Sequence, residues 1–276
     1  MSFSYDRRYR GRIQSVILDW AGTTMDFGCL APAVVFQKVF ENASVPITMA
    51  EAREPMGAHK KVHIRKITQI PTVNKRWQAK YGKAPTEEDV ERMFQEFVPL
   101  QIECLSDYSA LIPGTLDIVS QLRKSGYKIG STTGFTEEMM GVLQKDAKDQ
   151  GYVPDSTVCA TQVPAGRPYP FMVLQNLINL QISPVEACVK IDDTIPGVEE
   201  GLNAGCWTIG LAISGNEVGL SLDDWKALPD DQQTVLRKKA YDRHIQSGAH
   251  YVVDSIQDIM PCIEDVERRL NRGERP

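Results

Sequence analysis

The chain has 276 residues, 42% of them hydrophobic, and a formal net charge of −5. That is enough apolar material for a buried core, in one large domain or two modest ones, and it excludes a disordered chain. Its 31 Lys and Arg residues are scattered among 36 Asp and Glu, which is not the footprint of a nucleic-acid binder. No stretch approaches the ~20 apolar residues of a membrane-spanning helix, and the opening MSFSYDRRYRGR has no signal-like apolar run behind it. Six cysteines, none at C-x-x-C spacing, read as reduced thiols. A cytoplasmic protein without membrane or nucleic-acid partners is expected.

Residues 13–18 form a short apolar, β-branched run ending at Asp19 and predict a buried strand. Gly22, Thr23, Thr24 and Gly28 mark the loop that follows. Between about 30 and 108 the texture turns helical, at 31–42, around 59–69 and at 86–103, with almost no strand signal. Thr86-Glu-Glu-Asp resembles a capping box opening the last of these. After Pro113-Gly114 strands and helices alternate. Helices are predicted at 115–125, 137–150, 170–180, 196–204 and 256–270, with a polar helical stretch at 217–247. Strands are predicted at 127–131, 156–160, 187–191, 206–211 and 250–253. Such alternation predicts an α/β fold with a doubly wound parallel sheet. The helical segment interrupts it after the first strand. It reads as an inserted domain, residues 29–108, in a core made of 1–28 and 109–276.

In open α/β sheets ligands bind outside the carboxyl ends of the strands. The polar residues that follow the predicted strands are Asp19, Thr132 and Thr133, and Asp192 and Asp193, with Arg167 in the loop after 156–160. Singly, each is an ordinary cap or turn residue. Together, carboxylates, a hydroxyl and a cation at one sheet edge suit a phosphoryl group and a hard, oxygen-liganded metal such as Mg2+.

Asp19-Trp20-Ala21-Gly22-Thr23 resembles the first motif of the haloacid dehalogenase superfamily, in which the Asp is a nucleophile. Thr133, Arg167 and Asp193 resemble its second, third and fourth motifs, and the helical insertion resembles its cap domain. The resemblance covers essentially the whole chain and implies magnesium at Asp19, Ala21 and Asp193. Superfamily phosphatases and phosphomutases usually carry an acid two residues after the nucleophile to protonate an oxygen leaving group; here that residue is Ala21. A carbon leaving group needs its electron pair delocalised instead, which a protonated imine on a lysine does. Met56-Gly57-Ala58-His59-Lys60-Lys61-Val62-His63 resembles the signature of the phosphonoacetaldehyde hydrolase (phosphonatase) family. Gly166-Arg167-Pro168 and Asp192-Asp193-Thr194 are similar to it too.

That resemblance implies Asp19 as nucleophile and Lys60 as Schiff-base lysine. Met56, Gly57, His63, Cys29, Thr133, Gly134 and Arg167 would stand around a small phosphonate substrate. A free lysine, with a pKa of about 10.4, is a poor nucleophile at neutral pH. Burial and the neighbours Lys61, His63 and Arg65 are expected to lower it. If residues 56–63 are helical, Met56, Lys60 and His63 share one face. Cys29 on its own reads as a small buried hydrophobe rather than a residue with a direct role. Two departures stand out. The superfamily's second acid, four residues after the metal ligand, is here Gly197, so Asp192, Glu199 or Glu200 is expected to stand in. Phe135 occupies a place where the resemblance implies Tyr in some relatives, so a hydroxyl contact there is lost. Related proteins imply a homodimer through the cap helices. The rival reading is a phosphatase or phosphomutase acting on a small phosphate ester.

Overall fold

The structure, a computed structural model, describes residues 8–276; the rest of the polar N-terminal run, residues 1–7, lies outside the described residues. Its scaffold is one sheet of six strands: β1 (Ser15–Leu18), β2 (Lys128–Thr133), β3 (Ser156–Cys159), β4 (Cys188–Asp192), β5 (Trp207–Leu211) and β6 (Tyr251–Val253). The strands lie in the order β3-β2-β1-β4-β5-β6, and every pairing is parallel. β1, β4 and β5 are buried along their whole length. Strands covered on both faces lose the alternation of half-buried ones and read as near-continuous apolar runs, as these do. The chain walks outward from β1 to β3 and then returns to the other side of β1 with β4. The direction of winding therefore reverses between β1 and β4, and such a reversal leaves a crevice at the carboxyl ends of the strands.

Between β1 and β2 the chain first forms α1 (Leu30–Asn42), α2 (Met49–Arg53), α3 (Lys60–Gln69), α4 (Pro71–Tyr81) and α5 (Glu87–Leu105). α5 opens on the predicted capping box: Thr86 Oγ1 accepts from the Asp89 amide, and the Asp89 carboxylate accepts from the Thr86 amide. A second capping box, Thr48 with Glu51, opens α2. These helices pack on one another, α1 and α3 both against α5. One apolar cluster runs through both regions, joining Val16, Leu18 and Ile191 of the sheet to Phe36, Trp77 and Phe97 of the helices.

The helices α6 (Thr115–Lys124), α7 (Glu137–Asp149), α8 (Phe171–Leu180), α9 (Ile195–Ala204), α10 (Leu222–Ala227), α11 (Asp230–Gln246) and α12 (Met260–Asn271) complete the alternation. Three expectations change. α2 and α4 were not foreseen. α4 buries only Val73 and Trp77, too narrow an apolar stripe to stand out, and begins with Pro71 in its first turn, where proline is tolerated. The helical stretch expected over 217–247 begins at Leu222 and is two helices, broken before Pro229, whose preceding residue is pushed out of helical geometry.

Candidate active site

Asp19 follows β1 directly, and its amide is bonded to the Ile191 carbonyl of β4 at 3.1 Å, so the sheet itself fixes the carboxylate at the switch point. The Trp20 carbonyl then accepts the amides of Thr23, Thr24 and Met25, which curls the loop back beneath it. One carboxylate oxygen from each of Asp19, Asp192 and Asp193 comes within 4.8 Å of the others, and all three residues are buried. Their burdens differ. Asp192 is occupied by protein: it accepts from Lys190 Nζ at 2.6 Å, the Thr194 amide at 3.0 Å and Thr194 Oγ1 at 2.7 Å, and pairs with Arg167 at 3.0 Å. Asp193 accepts only from Thr23 Oγ1 at 3.1 Å and the Asn216 amide at 2.9 Å among the hydrogen bonds of the described residues.

Arg167 is fully enclosed. Its Nη2 donates to Asp19 Oδ1 at 2.5 Å and to the Thr132 carbonyl and hydroxyl at 3.1 and 2.9 Å, and its Nε donates to Glu200 at 3.1 Å. Thr132 Oγ1 in turn donates to Glu200 at 3.1 Å, and Lys190 lies 3.8 Å from the same carboxylate. The sequence placed Thr132 at this edge and offered Glu200 as a metal-side acid, whereas both serve Arg167; Lys190 was not anticipated. Lys190 sits mid-strand in an apolar run, and that unexplained buried cation was the available signal.

Burial raises the Asp19 pKa, with Arg167 opposing it. Burial works the same way on Asp192, but Arg167 and Lys190 outweigh it and hold that carboxyl low. Asp193 is pushed well above the carboxylate range by burial and by the charges of Asp19 and Asp192. Within this buried set, four carboxylates (Asp19, Asp192, Asp193 and Glu200) face two cations, Arg167 and Lys190. A divalent cation against Asp19 and Asp193 would balance the two remaining charges, and an all-oxygen donor set fits a hard metal. Gly197 resolves the first departure. A Cβ there would overlap the Asp192 carboxylate, so Asp192 fills the space a side chain at 197 would need. Glu199 is half-exposed, and Glu200 serves Arg167.

Opposite this edge stands Lys60, the first residue of α3, 4% exposed. Burial lowers its pKa to about 8. Arg167 also lowers it, but the expected sequence neighbours do not: Lys61 is paired with Glu91 and Arg65 with Glu87, at the surface. The Lys60 nitrogen is 4.3 Å from the Phe135 ring centroid and 5.8 Å from that of Phe36. His63 is fully buried against Phe36, and its Nε2 meets the Ala52 carbonyl at 2.8 Å. A carbonyl only accepts, so that nitrogen carries the proton. Burial and Lys60 hold the imidazole pKa well below its usual value.

Asp19, Ala21, Cys29 and Lys60 line one cavity with Thr133, Gly134 and Arg167; Met56 and Gly57 close its side. His63 is absent from the lining and stands behind Lys60. Met56 reaches the cavity from the turn ahead of α3, not from the helix face it was expected to share with Lys60 and His63. Burial, Asp193 and Asp26 push the Cys29 thiol well above its ordinary pKa, so the cysteine is a neutral wall. Asp26 was not anticipated. It caps α1, accepting from the Leu30 and Ala31 amides at 3.0 Å each, and burial raises its pKa to about 6.

The cavity encloses only about 20 Å³. That is room for about one water. Backbone contact closes it: a Cβ on Gly134 would stand 2.7 Å from the Ala58 carbonyl oxygen and 3.0 Å from that of Gly57. In a larger crevice of about 500 Å³, between Phe27, Pro113, Trp225 and Asp254, the two carboxylates are engaged, Asp254 by Arg237 and Tyr241 and Asp258 by Ser255.

The family model of haloacid dehalogenase-like hydrolases matches residues 13–205. The phosphonoacetaldehyde hydrolase of Hahella chejuensis is 49% identical over 276 residues, 100% of this chain and 94% of that protein. The phosphonoacetaldehyde hydrolase of Salmonella typhi is 47% identical over 267 residues, 96% of this chain and 99% of that one. A crystal structure of a phosphonoacetaldehyde hydrolase-like protein from Oleispira antarctica superposes with a TM-score of 0.97 at 44% identity, covering 100% of both chains. A β-phosphoglucomutase from Clostridium difficile, 17% identical with a TM-score of 0.64 over 93% of this chain and 98% of its own, shares the fold alone. Fold and site thus define a hydrolase with an aspartate at the switch point of a parallel sheet. The chain belongs to the haloacid dehalogenase-like hydrolases, in the branch of the phosphonoacetaldehyde hydrolases.

Proposed function

We infer that this enzyme hydrolyses the carbon–phosphorus bond of phosphonoacetaldehyde, giving acetaldehyde and phosphate. The observation that carries the reading is the meeting of a buried, pKa-lowered Lys60 and a buried Asp19 across one small cavity. The names of the relatives support it.

In this reading the neutral Lys60 amine adds to the aldehyde and, with loss of water, forms a protonated imine. Asp19 attacks phosphorus while the C–P bond breaks, and the bonding pair passes through the carbon to the iminium nitrogen as an enamine. Protonation of the enamine carbon and hydrolysis of the imine release acetaldehyde. A second water cleaves the aspartyl phosphate. Arg167, Thr133 and the Gly134 amide would hold the phosphonate oxygens, and Cys29, Met56 and Gly57 would wall the two-carbon unit. His63, from behind, would keep Lys60 in place. Magnesium, held by Asp19, Asp193 and the Ala21 carbonyl, would supply charge neutralisation of the phosphoryl oxygens. Ala21 offers no acid for an oxygen leaving group, which counts against the phosphatase alternative.

The segment 29–108 would act as a cap over a core of 1–28 and 109–276. A 20 Å³ space is too small for the substrate, which supports a cap that opens to admit it. Placement of the two groups around one bound molecule can supply up to about 7–11 kcal/mol of the barrier. A homodimer through the cap helices and a cytoplasmic location complete the proposal; among the described residues no helix is long and apolar enough to cross a membrane. The decisive assay is acetaldehyde release from phosphonoacetaldehyde with and without magnesium. Turnover of simple phosphate esters that survives loss of Lys60 would instead favour a phosphatase.

A further inference from the structure

Arg53, the last residue of α2, spans three parts of the chain. Its Nη1 donates to the Gly28 carbonyl at 2.8 Å, the Cys29 carbonyl at 3.3 Å and Asn216 Oδ1 at 3.3 Å. Its Nη2 donates to the Gly219 carbonyl at 3.0 Å. Asn216 answers, its side-chain amide donating to the Arg53 carbonyl at 3.3 Å. The loop after β5 is shaped for this: a Cβ on Gly219 would stand 2.7 Å from the Arg53 guanidinium carbon. The same loop meets the nucleophile's loop, since Ser214 Oγ donates to the Gly22 carbonyl at 2.8 Å and the Gly28 amide donates to the Ser214 carbonyl at 2.7 Å. Its Asn216 amide holds one oxygen of Asp193.

We propose that Arg53 is a positioning residue that makes the setting of the Asp193 carboxylate depend on docking of the helical segment. The chain of contacts is short: guanidinium to the Asn216 side chain and Gly219 carbonyl, Asn216 backbone amide to Asp193. Undocking removes the guanidinium, frees the 214–219 loop and loosens the hold on a metal-facing carboxylate. Phosphoryl chemistry is thereby confined to the closed enzyme, where Lys60 is also in place. The proposal rests on the reading of Asp193 as a metal ligand given above.

The test uses the full chain with Arg53→Ala, Arg53→Lys and Asn216→Ala, without substrate. Amide hydrogen exchange, measured without metal, should accelerate at least tenfold across 214–219 in both Arg53 variants and stay unchanged in β2. Lysine should not rescue, because a single ammonium cannot satisfy three carbonyls and an amide oxygen from one fork. Calorimetric titration with magnesium should show affinity weakened about tenfold in Arg53→Ala, within the range of coupled sites. Asn216→Ala should add little to Arg53→Ala, because the two act through one loop. Exchange in 214–219 that stays at the wild-type rate, or rises equally in β2, overturns the proposal. So does unweakened magnesium affinity in an Arg53→Ala variant whose loop is loosened. Failure of the wild-type chain to bind magnesium sinks the metal reading instead, and the exchange data still decide whether Arg53 sets the loop.

Discussion

The Lys60 nitrogen stands 4.3 Å from the centre of the Phe135 ring, so the amine of α3 is faced by an aromatic side chain from the loop after β2. The ring favours the charged amine by cation–π attraction, while burial, the larger effect, favours the neutral one. Trapping of the aldehyde adduct with borohydride, followed from pH 6 to 10, should therefore rise through an apparent pKa near 8, not 10.5. Phe135→Leu should move that midpoint lower. Lys60→Arg should abolish both trapping and acetaldehyde release, since guanidinium stays protonated. Near-normal turnover by that variant would remove the imine from the mechanism.

The same depressed pKa has a cost in stability. The unfolded chain holds the Lys60 proton up to about 10.5 and the folded chain only to about 8. Between these values the unfolded state binds more protons, so stability rises with pH, and below pH 8 the full penalty applies. At pH 7 it amounts to about 3 kcal/mol. Lys60→Met, inactive, should thus resist urea better than the wild type at pH 7, and the gap should narrow from pH 8 towards 10.5. Equal stability at pH 7 would show that the cavity does not depress this amine.

Gly134→Ala tests closure. In this structure the added methyl would stand 2.7 Å from the Ala58 carbonyl oxygen and 3.0 Å from that of Gly57, contacts that the proposed open state would relieve. Turnover should fall on the order of 100-fold, the effect of a misplacement of about 1 Å, with little change in thermal stability. A variant that loses stability in proportion to activity would mark Gly134 as a packing residue.

Lys190 is buried and 2.6 Å from Asp192. Lys190→Met keeps the volume but leaves Asp192 and Glu200 with Arg167 alone. The loss should be about 3–5 kcal/mol in denaturant unfolding, the cost of breaking a buried pair on one side. A loss below 1 kcal/mol would mean that the carboxylates protonate at little cost.

Chelation separates the two halves of the chemistry. Removing magnesium should stop acetaldehyde release yet leave borohydride labelling of Lys60 intact, and Asp19→Asn should behave the same way. Magnesium at 100 times its dissociation constant should stabilise the native chain by about 2.7 kcal/mol. Labelling that also needs metal would put magnesium at the imine step.

The sheet and its switch point could be read from the sequence because strands buried on both faces are apolar runs that stop abruptly at polar residues. Asp19, Asp192 and Asp193 stood out for that reason. Lys60 could not be found by composition: a lysine opening a helix is ordinarily solvated, and only the surrounding motif marked it. Lys190, and the pairing of Glu200 with it and with Arg167, were hidden because they depend on strand register and helix phase, which place a strand lysine near an α9 glutamate. The position of Met56 was missed because the chain turns at 54–58, a feature of backbone geometry that apolar spacing does not report.

The helices carrying Lys60 enter the chain immediately after the loop of Asp19 and leave it before β2. If Asp19 and Lys60 act as proposed, phosphorus capture and leaving-group chemistry are encoded in separable stretches of sequence. A transplant of that one contiguous stretch onto another sheet with the same switch point would carry the amine as a module, and with it the choice of which bond is cut.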